Sequence, residues 1–442
     1  MVEEFRSPRD GLLEKRYRED ASEMGFKQDR VKNLDACIKC SACTAQCPVA
    51  AVYPLFPGPK SVGPDAERFR LEGLEMDMGC LNYCSNCKTC EVTCPSGVNI
   101  TEMILRAREK AQQTGQKDGK TIQHQVRDLI LGRAEYLGKL GTIWPGMTNA
   151  VLGIPLMRGV MERTLGIGRQ APLPAYKPKF KGPTRRLGQK TVVYFPGCFV
   201  SYNDALTGQA VVKVLELNGY DVIVPQFHCC GVPLQANGHF REGRDNMRKN
   251  LALMDPYLQA NMPVITSCTS CGLALKEEYP KEEVLASGAK RIGRQTYDLF
   301  EFLWELHERG ELREEFQAVA VSLGYHAPCH LKAQGIGTPS VRLLRLIPGV
   351  KVNDLDAGCC GLSGSFGFKQ EKYDLAMQIG TPLFSRVRRG VTEGKFEAMT
   401  TECGGCQVQI QHGSGVKTEH PVWVLMQAYG LELNQRRETK DS

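Results

Sequence analysis

The chain has 442 residues, of which 42% are hydrophobic and 24% charged, with a formal net charge of +7 at pH 7. This composition is typical of a soluble globular protein with room for two to four domains. The charged N-terminal sequence MVEEFRSPRDGLLEKRYRED excludes a secretory signal, so we expect a cytosolic protein. Because its 19 cysteines are an odd number, complete disulfide pairing is excluded, and clustered cysteines in the cytosol are more often metal ligands.

Two short runs of cysteines dominate the N-terminal part, CIKCSACTAQCP from Cys37 and CSNCKTCEVTCP from Cys84. Cys-x2-Cys-x2-Cys-x3-Cys-Pro is the bacterial ferredoxin run, whose fourth cysteine binds the other cluster of a pair. Structural zinc is less favoured, because it usually takes Cys-x2-Cys pairs joined by longer spacers. We therefore predict two [4Fe–4S] clusters, one bound by Cys37, Cys40, Cys43 and Cys94, the other by Cys84, Cys87, Cys90 and Cys47.

Helices are predicted around both runs. PLFPGPKSVGPDAERFRLEG is a Pro/Gly loop that leads into a charged helical segment. NITEMILRAREKAQ predicts a helix with Asn99 as N-cap and Glu102 three residues later, as in a capping box. Lys39, Lys88 and Lys332 lie near predicted ligands in sequence, and we interpret them as solvated surface lysines.

Residues 127–190 form a basic segment with twelve Lys or Arg and three Asp or Glu. No nucleic-acid recognition motif accompanies this charge, so we expect no nucleic-acid binding. Within the segment, residues 140–157 carry no charge, but Pro145 and Pro155 argue against a membrane-spanning helix. We predict an interfacial membrane segment there, flanked by Lys139, Arg158, Arg163 and Arg169; the alternative is an apolar linker packed between domains.

The C-terminal part repeats one cysteine pattern twice, as a single Cys, a Cys-Cys-Gly doublet and a Cys-x2-Cys pair. The intervening gaps are 30 and 37 residues in the first copy and 29 and 42 in the second, so order and spacing are both kept. The first copy contains Cys198, Cys229, Cys230, Cys268 and Cys271, and the second contains Cys329, Cys359, Cys360, Cys403 and Cys406.

Short runs of β-branched and aromatic residues precede these cysteines and predict strands, as in TVVYF, DVIV and VSLGYH. ALTGQAVVKVLELNG predicts a helix that ends at Gly219, and strands alternating with helices favour a parallel sheet. Ligands of such sheets gather beyond the carboxyl ends of the strands. We therefore predict a metal centre in each copy, either iron–sulfur or zinc; a strained disulfide or redox thiol pair would leave three cysteines of each copy unexplained.

The order of these motifs resembles a known family. Two ferredoxin runs followed by two Cys-Cys-Gly domains are similar to heterodisulfide reductase subunits and to the iron–sulfur subunits of glycolate oxidase, lactate-utilisation enzymes and anaerobic glycerol-3-phosphate dehydrogenase. The segments FPGPKSVGPDAERFRL, GCFVSYN, HCCGVPLQANG, YHAPCHL, CCGLSGSFGFK and IGTPLF most resemble the last of these. The resemblance implies an α+β multidomain fold, an α-helical two-cluster ferredoxin domain followed by two repeated α/β domains.

The resemblance also implies a non-catalytic electron-transfer subunit that could hold a quinone-reducing site. Its expected partners are an FAD-containing glycerol-3-phosphate dehydrogenase subunit, a second flavoprotein subunit, quinone and the inner face of the cell membrane. Its expected cofactors are two [4Fe–4S] cubanes and one or two further centres, non-cubane [4Fe–4S] or zinc. His228 and His330 are candidates for tuning potentials, or ordinary loop histidines, and Cys80 is predicted not to be a ligand.

Other functions stay open at this point. A glycolate, lactate or succinate flavoprotein could be the partner instead, or the chain could itself be a heterodisulfide-reductase-like thiol–disulfide enzyme or a zinc scaffold. No Gly-x-Gly-x-x-Gly follows a strand, so we expect no dinucleotide site. The predicted domains are an N-terminal extension (1–30), a ferredoxin domain (31–115), a basic and apolar linker (116–188), and two Cys-Cys-Gly domains (189–318 and 319–442).

Overall fold

The computed structural model describes residues 32–74, 79–114, 120–183, 190–282 and 286–433. The N-terminal extension predicted for residues 1–30 lies outside the described residues. Helices fill the described chain up to residue 165, and two four-stranded parallel sheets with flanking helices follow. This architecture confirms the α+β multidomain prediction.

The ferredoxin region consists of short helices around the two cysteine runs. Its last helix buries Ile100, Ile104 and Ala107, the apolar face that the sequence predicts. Asn99 occupies the N-cap position, but its side chain accepts no capping hydrogen bond, and Glu102 pairs with Arg106; the predicted capping box is wrong. The helices are α1 (Lys32–Asp35), α2 (Ala42–Ala45), α3 (Ala66–Leu71), α4 (Thr89–Val92) and α5 (Ile100–Gln113), with a π-turn at Ser61–Asp65 and a 3-10 turn at Gly79–Tyr83.

Four helices connect this region to the first sheet: α6 (Ile122–Gly132), α7 (Ala134–Gly141), α8 (Pro145–Gly153) and α9 (Pro155–Leu165). Proline stands at the first position of α8 and of α9, where its missing N–H costs no helical hydrogen bond. Neither α8 nor α9 has a buried residue. Among the described residues, no helix combines the length and the apolar character needed to cross a bilayer.

The first sheet has the strand order β2-β1-β3-β4, and every pairing is parallel. The strand TVVYF is fully buried, as its run of β-branched and aromatic residues predicts. The predicted helix after it ends at Leu217, and Gly219 follows with a φ of 84°. The elements are β1 (Thr191–Phe195), α10 (Gly197–Tyr202), α11 (Ala205–Leu217), β2 (Asp221–Ile223), α12 (Val232–Ala236), α13 (Phe240–Gln259), β3 (Val264–Thr266), α14 (Thr269–Leu273), α15 (Ala286–Gln295), β4 (Thr296–Asp298) and α16 (Leu299–Glu308).

The second sheet repeats this topology with the order β6-β5-β7-β8, again all parallel. A 3-10 turn at Phe366–Phe368 precedes its longest helix. The elements are β5 (Val321–Tyr325), α17 (Cys329–Ala333), α18 (Pro339–Leu344), β6 (Val350–Asp354), α19 (Gln370–Thr392), β7 (Ala398–Thr400), α20 (Gly404–Ser414), β8 (Thr418–Glu419) and α21 (Val422–Ala428).

The two sheet domains share one hydrophobic core. α21 of the second domain packs on α11 of the first, and the indole N–H of Trp423 donates to the hydroxyl of Thr207. In the other direction, α16 of the first domain packs on α18 of the second. The two domains therefore form one unit, which fixes the carboxyl ends of their strands relative to each other.

Candidate metal centres

The two ferredoxin loops have matching backbones. In the first, Lys39 and Ser41 have φ values of 59° and 64°, and in the second, Asn86 and Lys88 have 54° and 59°. Left-handed residues at alternate positions are unusual outside glycine, and such turns present successive N–H groups to one concave side. A loop of this kind can wrap three thiolates around one cluster and donate hydrogen bonds to it.

The structure brings the fourth cysteine of each run to the other run. Cys37, Cys40, Cys43 and Cys94 line one small cavity, which Cys47 does not line. Burial raises the pKa of the Cys47 thiol, and the charge of Cys84 adds to this effect. Burial likewise raises the pKa of Cys90, with further contributions from Cys84, Cys87 and Cys47. The geometry thus matches the crossed pattern of a two-cluster ferredoxin.

All five cysteines of the first repeat lie together beyond the carboxyl ends of the strands. Their side chains form a connected chain of hydrogen-bonded thiols, in the order Cys198, Cys229, Cys230, Cys271 and Cys268. Gly197, with a φ of 71°, leaves room for the sulfur of Cys271, which would lie 2.7 Å from a Cβ at that position. Five converging soft donors fit an iron–sulfur centre or zinc.

The second repeat assembles its five cysteines in the same way, with thiol contacts in the order Cys329, Cys359, Cys360, Cys406 and Cys403. The sulfurs of the doublet's second cysteine and of the last cysteine are 3.4 Å apart. The backbone N–H of Gly361 donates to the sulfur of Cys359 at 3.3 Å. N–H donors of this kind stabilise a thiolate and tune a bound metal.

His326 stands beside the second centre, and the sequence reasoning missed it. One of its ring nitrogens and the sulfurs of Cys360 and Cys406 all lie within 4.8 Å of one another. Burial lowers the pKa of His326 to about 4, so the imidazole is neutral and keeps a lone pair for a metal or a hydrogen bond. Phe195 occupies the corresponding position before the single cysteine of the first copy. That difference between the copies was the only sequence signal.

The two repeats face each other in a reciprocal arrangement. Phe199, which follows the single cysteine of the first copy, packs on Gly404 between the paired cysteines of the second, where a Cβ would meet its ring at 2.2 Å. His330, which follows the single cysteine of the second copy, reaches Ser270 between the paired cysteines of the first, with a Nδ1–Oγ distance of 2.8 Å. The centres are therefore linked by one residue in each direction.

His330 also contacts the ferredoxin region, because its Nε2–H donates to the carbonyl of Asn86 at 3.0 Å. Asn86 lies between Cys84 and Cys87, so one imidazole touches loops of three predicted centres. In the same region the charge of Cys359 contributes to a pKa of about 12 for the Cys87 thiol, whose main cause is burial. The second ferredoxin loop is thus adjacent to the second repeat and hydrogen-bonded into its contact with the first.

One lysine interpretation from the sequence is wrong. Lys88 is buried rather than solvated, with 3% of its surface exposed. Its ammonium lies 3.7 Å from Glu91 and 3.5 Å from Glu278 of the first repeat, and these partners hold its charge inside the protein. Lys39 and Lys332 are exposed, as expected.

The remaining residues of interest have plain structural roles. The backbone N–H of Cys229 donates to Glu135 of α7 at 2.8 Å, and the ring of His228 lies 3.4 Å from the same carboxylate. Gly231 and Gly361 have φ values of 98° and 90°, and each lies against the backbone of the long helix that follows. Close packing on that helix explains these two glycines.

Comparison with known proteins matches the same regions. The model of a 4Fe-4S dicluster domain matches residues 33–98, and the model of a cysteine-rich domain named CCG matches residues 192–276 and 323–411. A subunit of the anaerobic glycerol-3-phosphate dehydrogenase from Escherichia coli, the third in its lettered series, is 34% identical over 90% of this chain and 98% of that protein. The chain belongs to this family.

More distant relatives share the whole arrangement. The glycolate oxidase iron-sulfur subunit of Escherichia coli is 27% identical over 90% of this chain and 95% of its own length. A subunit of the dihydromethanophenazine:CoB–CoM heterodisulfide reductase from Methanosarcina barkeri is 24% identical over 92% of this chain and 96% of its own length. The chain is thus an iron–sulfur electron-transfer subunit of an oxidoreductase.

Proposed function

We propose that the chain receives electrons from an FAD-containing glycerol-3-phosphate dehydrogenase partner and delivers them to quinone at the inner face of the cell membrane. The observation that supports this best is the contact of the second ferredoxin loop with both Cys-Cys-Gly domains, through His330 and Lys88. Such contacts place the predicted centres in one connected series. Bound clusters would supply one-electron carriers, and the protein would hold them in order and exclude water from them.

The proposed cofactors follow from the groups of cysteines that the fold assembles. Two [4Fe–4S] cubanes would occupy the crossed ferredoxin sets, and each Cys-Cys-Gly set would hold a further iron–sulfur centre or zinc. The crossing can be tested with Cys47→Ser. We expect the EPR signal of the cluster built on Cys84, Cys87 and Cys90 to change, whereas loss of only the other cubane signal would contradict the crossed assignment.

The proposed membrane contact rests on an apolar surface formed by α7, α8 and α9, hereafter the α7–α9 surface. Its central residues Trp144 and Leu156 are 67% and 76% exposed, and exposed apolar patches of this kind mark interaction sites. Trp is favoured at the headgroup level of a bilayer. The other exposed apolar members are Tyr136, Leu140, Ile143, Met147, Val151, Ile154, Met157 and Val160.

The same surface is joined to the first Cys-Cys-Gly centre. Glu135 of α7 accepts a hydrogen bond from the backbone N–H of Cys229 at 2.8 Å, so a quinone in the bilayer would approach that centre most directly. The flanking charges are less available than the sequence suggests. Lys139 pairs with Glu135, Arg169 lies 3.8 Å from Glu162, and Arg158 donates to the carbonyls of residues 168, 169 and 171. Apolar burial would therefore contribute more than charge.

Electron transfer can be tested on the full chain purified anaerobically, alone and with its flavoprotein partner. Iron, sulfide and zinc analysis gives the number and kind of centres. With the partner, sn-glycerol 3-phosphate should reduce the clusters seen by EPR, and a soluble quinone should then reoxidise them. Reduction by glycolate or lactate, with none by glycerol 3-phosphate, would contradict the proposed substrate while leaving the electron-transfer function intact.

Membrane binding can be tested by vesicle co-sedimentation of the double variant Trp144→Glu, Leu156→Glu. Two charges on the α7–α9 surface should abolish pelleting, because a charged group cannot enter the apolar boundary cheaply. The matched control Leu253→Glu, Leu346→Glu changes two exposed leucines outside this surface and should bind normally. Equal pelleting of all three proteins would show that this surface is not the membrane contact.

A further inference from the structure

A cavity of about 280 Å³ lies between the second ferredoxin loop and the second Cys-Cys-Gly loop. Cys84 and Asn86 line it from one side, and Ser363 and Ser365, which follow the second doublet, from the other. Helices α5, α6 and α19 close the remaining walls. A cavity of this size holds a small molecule, and this one lies beside two predicted metal centres.

The charged walls of the cavity are unbalanced. Five basic side chains line it against two acidic ones. Both carboxylates are already engaged: Asp128 is 2.8 Å from Lys369 and 3.2 Å from Lys120, and Glu371 is 2.7 Å from Arg127. The other two cations are Arg108 and Lys372.

Neither Arg108 nor Lys372 has a carboxylate partner within 4 Å among the described residues. Arg108 donates to the carbonyls of Leu81 and Cys84. Lys372 is 6% exposed and donates to the carbonyl of Asn82, which leaves N–H groups of its ammonium without an acceptor in the described part of the chain. A buried cation without a counter-charge is costly, so an anion in the cavity would stabilise it.

The charge of a bound cluster does not account for both cations. Arg108 interacts electrostatically with the thiolate of Cys84, and a cluster there could serve as its counter-charge. The largest charge interactions of Lys372 are with Lys369, Arg108, Glu371 and Asp128, and none is with a cysteine. Its ammonium instead lies over the rings of Phe366 and Tyr83, at 4.9 and 5.3 Å from their centroids.

We propose that this cavity binds a small molecule through an oxyanion group, a phosphate or a carboxylate, held by Lys372 and Arg108. Charge-assisted hydrogen bonds to two fixed donors favour such a group over a neutral ligand. The bound negative charge would lie beside the cluster that includes Cys84 and would lower its reduction potential. This inference does not depend on which molecule finally receives the electrons.

The test uses the full-length, cluster-loaded protein under anaerobic conditions. Calorimetric titration with inorganic phosphate and with acetate should show saturable binding, whereas chloride at equal ionic strength should not replace either ion. Tighter binding of phosphate would identify a phosphate site, and tighter binding of acetate a carboxylate site. Redox titration followed by EPR should show a lower potential for one cubane when the favoured ion is present.

Lys372→Met keeps the length of the side chain and removes its charge. We expect at least a tenfold loss of affinity, since a charge-assisted hydrogen bond contributes about 1.5–3 kcal/mol. Lys332→Met removes an exposed lysine near the same doublet, outside the cavity, and should leave binding unchanged. If Lys372→Met loses iron, Lys120→Gln on the rim of the cavity replaces it and should weaken binding several-fold. Absence of saturable binding, or unchanged affinity in the lining variants at full iron content, would overturn the proposal.

Discussion

The first and second Cys-Cys-Gly domains hold the same five thiols in the same order, but their surroundings differ. Around the first set, Phe195 and Phe199 are apolar, and Tyr194 hydrogen-bonds the neutral hydroxyl of Ser267 at 2.7 Å. The first set therefore lies among neutral and apolar side chains close to its strands.

Around the second set, each of these positions is polar. His326 and His330 replace the two phenylalanines, and Tyr325 donates to the buried carboxylate of Glu402 at 3.0 Å. The second set is also adjacent to the ferredoxin loop at Cys87. Because the groups around a metal tune its potential and its ligand set, one repeated frame can hold two centres with different properties.

The largest effect is expected when one ligand is removed from each copy. The second cysteine of each doublet contacts the Cys-x2-Cys pair, so Cys230→Ser and Cys360→Ser should each abolish one centre. Metal analysis should show the loss of one centre's metal in each variant and of both in the double variant. Loss of all metal from both centres in a single variant would mean that the two sets form one shared site.

Cys80→Ser is the matched control for this pair. Its cysteine lies in the 3-10 turn before the second run, outside all four groups of predicted ligands. We expect its iron content to equal that of the unchanged protein. A deficit of about one cluster's iron would contradict the ligand count and not the comparison of the two repeats.

Sequence reasoning predicted the frame of both copies because cysteine spacing and strand patterns depend on local chemistry. TVVYF and VSLGYH begin the two sheets, as predicted. The contacts between the domains were not predictable, because His330 and Ser270 are 60 residues apart and neither belongs to a motif. Lys88 was interpreted wrongly for the same reason, since its partner Glu278 lies in another domain.

A second prediction exchanges the residues that differ most. His326→Phe makes the second copy like the first, and Phe195→His makes the first like the second. We expect His326→Phe to change the EPR or absorption spectrum of the second centre and to shift its potential by tens of millivolts or more, on the order of 1 kcal/mol. An unchanged spectrum and potential would mean that His326 only fills space. Phe195→His, which adds an imidazole beside Cys198, is the converse measurement.

The third prediction concerns stability and ranks two glycines. A left-handed φ costs other residues about 1–2 kcal/mol, so Gly231→Ala and Gly361→Ala should both lower the apparent melting temperature of the loaded protein. The second should lower it further, because its new Cβ would lie 2.0 Å from the carbonyl oxygen of Ala376, against 3.1 Å from that of Gly243 in the first copy. Equal losses would show that the two doublets are packed equally tightly.

The smallest expected effect distinguishes the two links between the domains. His330→Phe copies Phe199 and removes the hydrogen bonds to Ser270 and Asn86, which leaves a buried carbonyl without its donor at a cost of about 1–3 kcal/mol. His330→Asn should recover part of this loss only if its shorter amide still reaches one partner. Phe199→Leu, which keeps the apolar contact with Gly404, should cost less than either.

The readout for His330→Phe must separate packing from electron transfer. Iron content and melting temperature report on the fold, and the rate at which the second Cys-Cys-Gly centre is reduced after the ferredoxin clusters reports on the link. If this imidazole only fixes the spacing of the three loops, both quantities should fall together, and His330→Asn should restore both. A slower reduction at unchanged melting temperature would instead assign the imidazole to the electron route itself, and the polar second copy would then be the connected one.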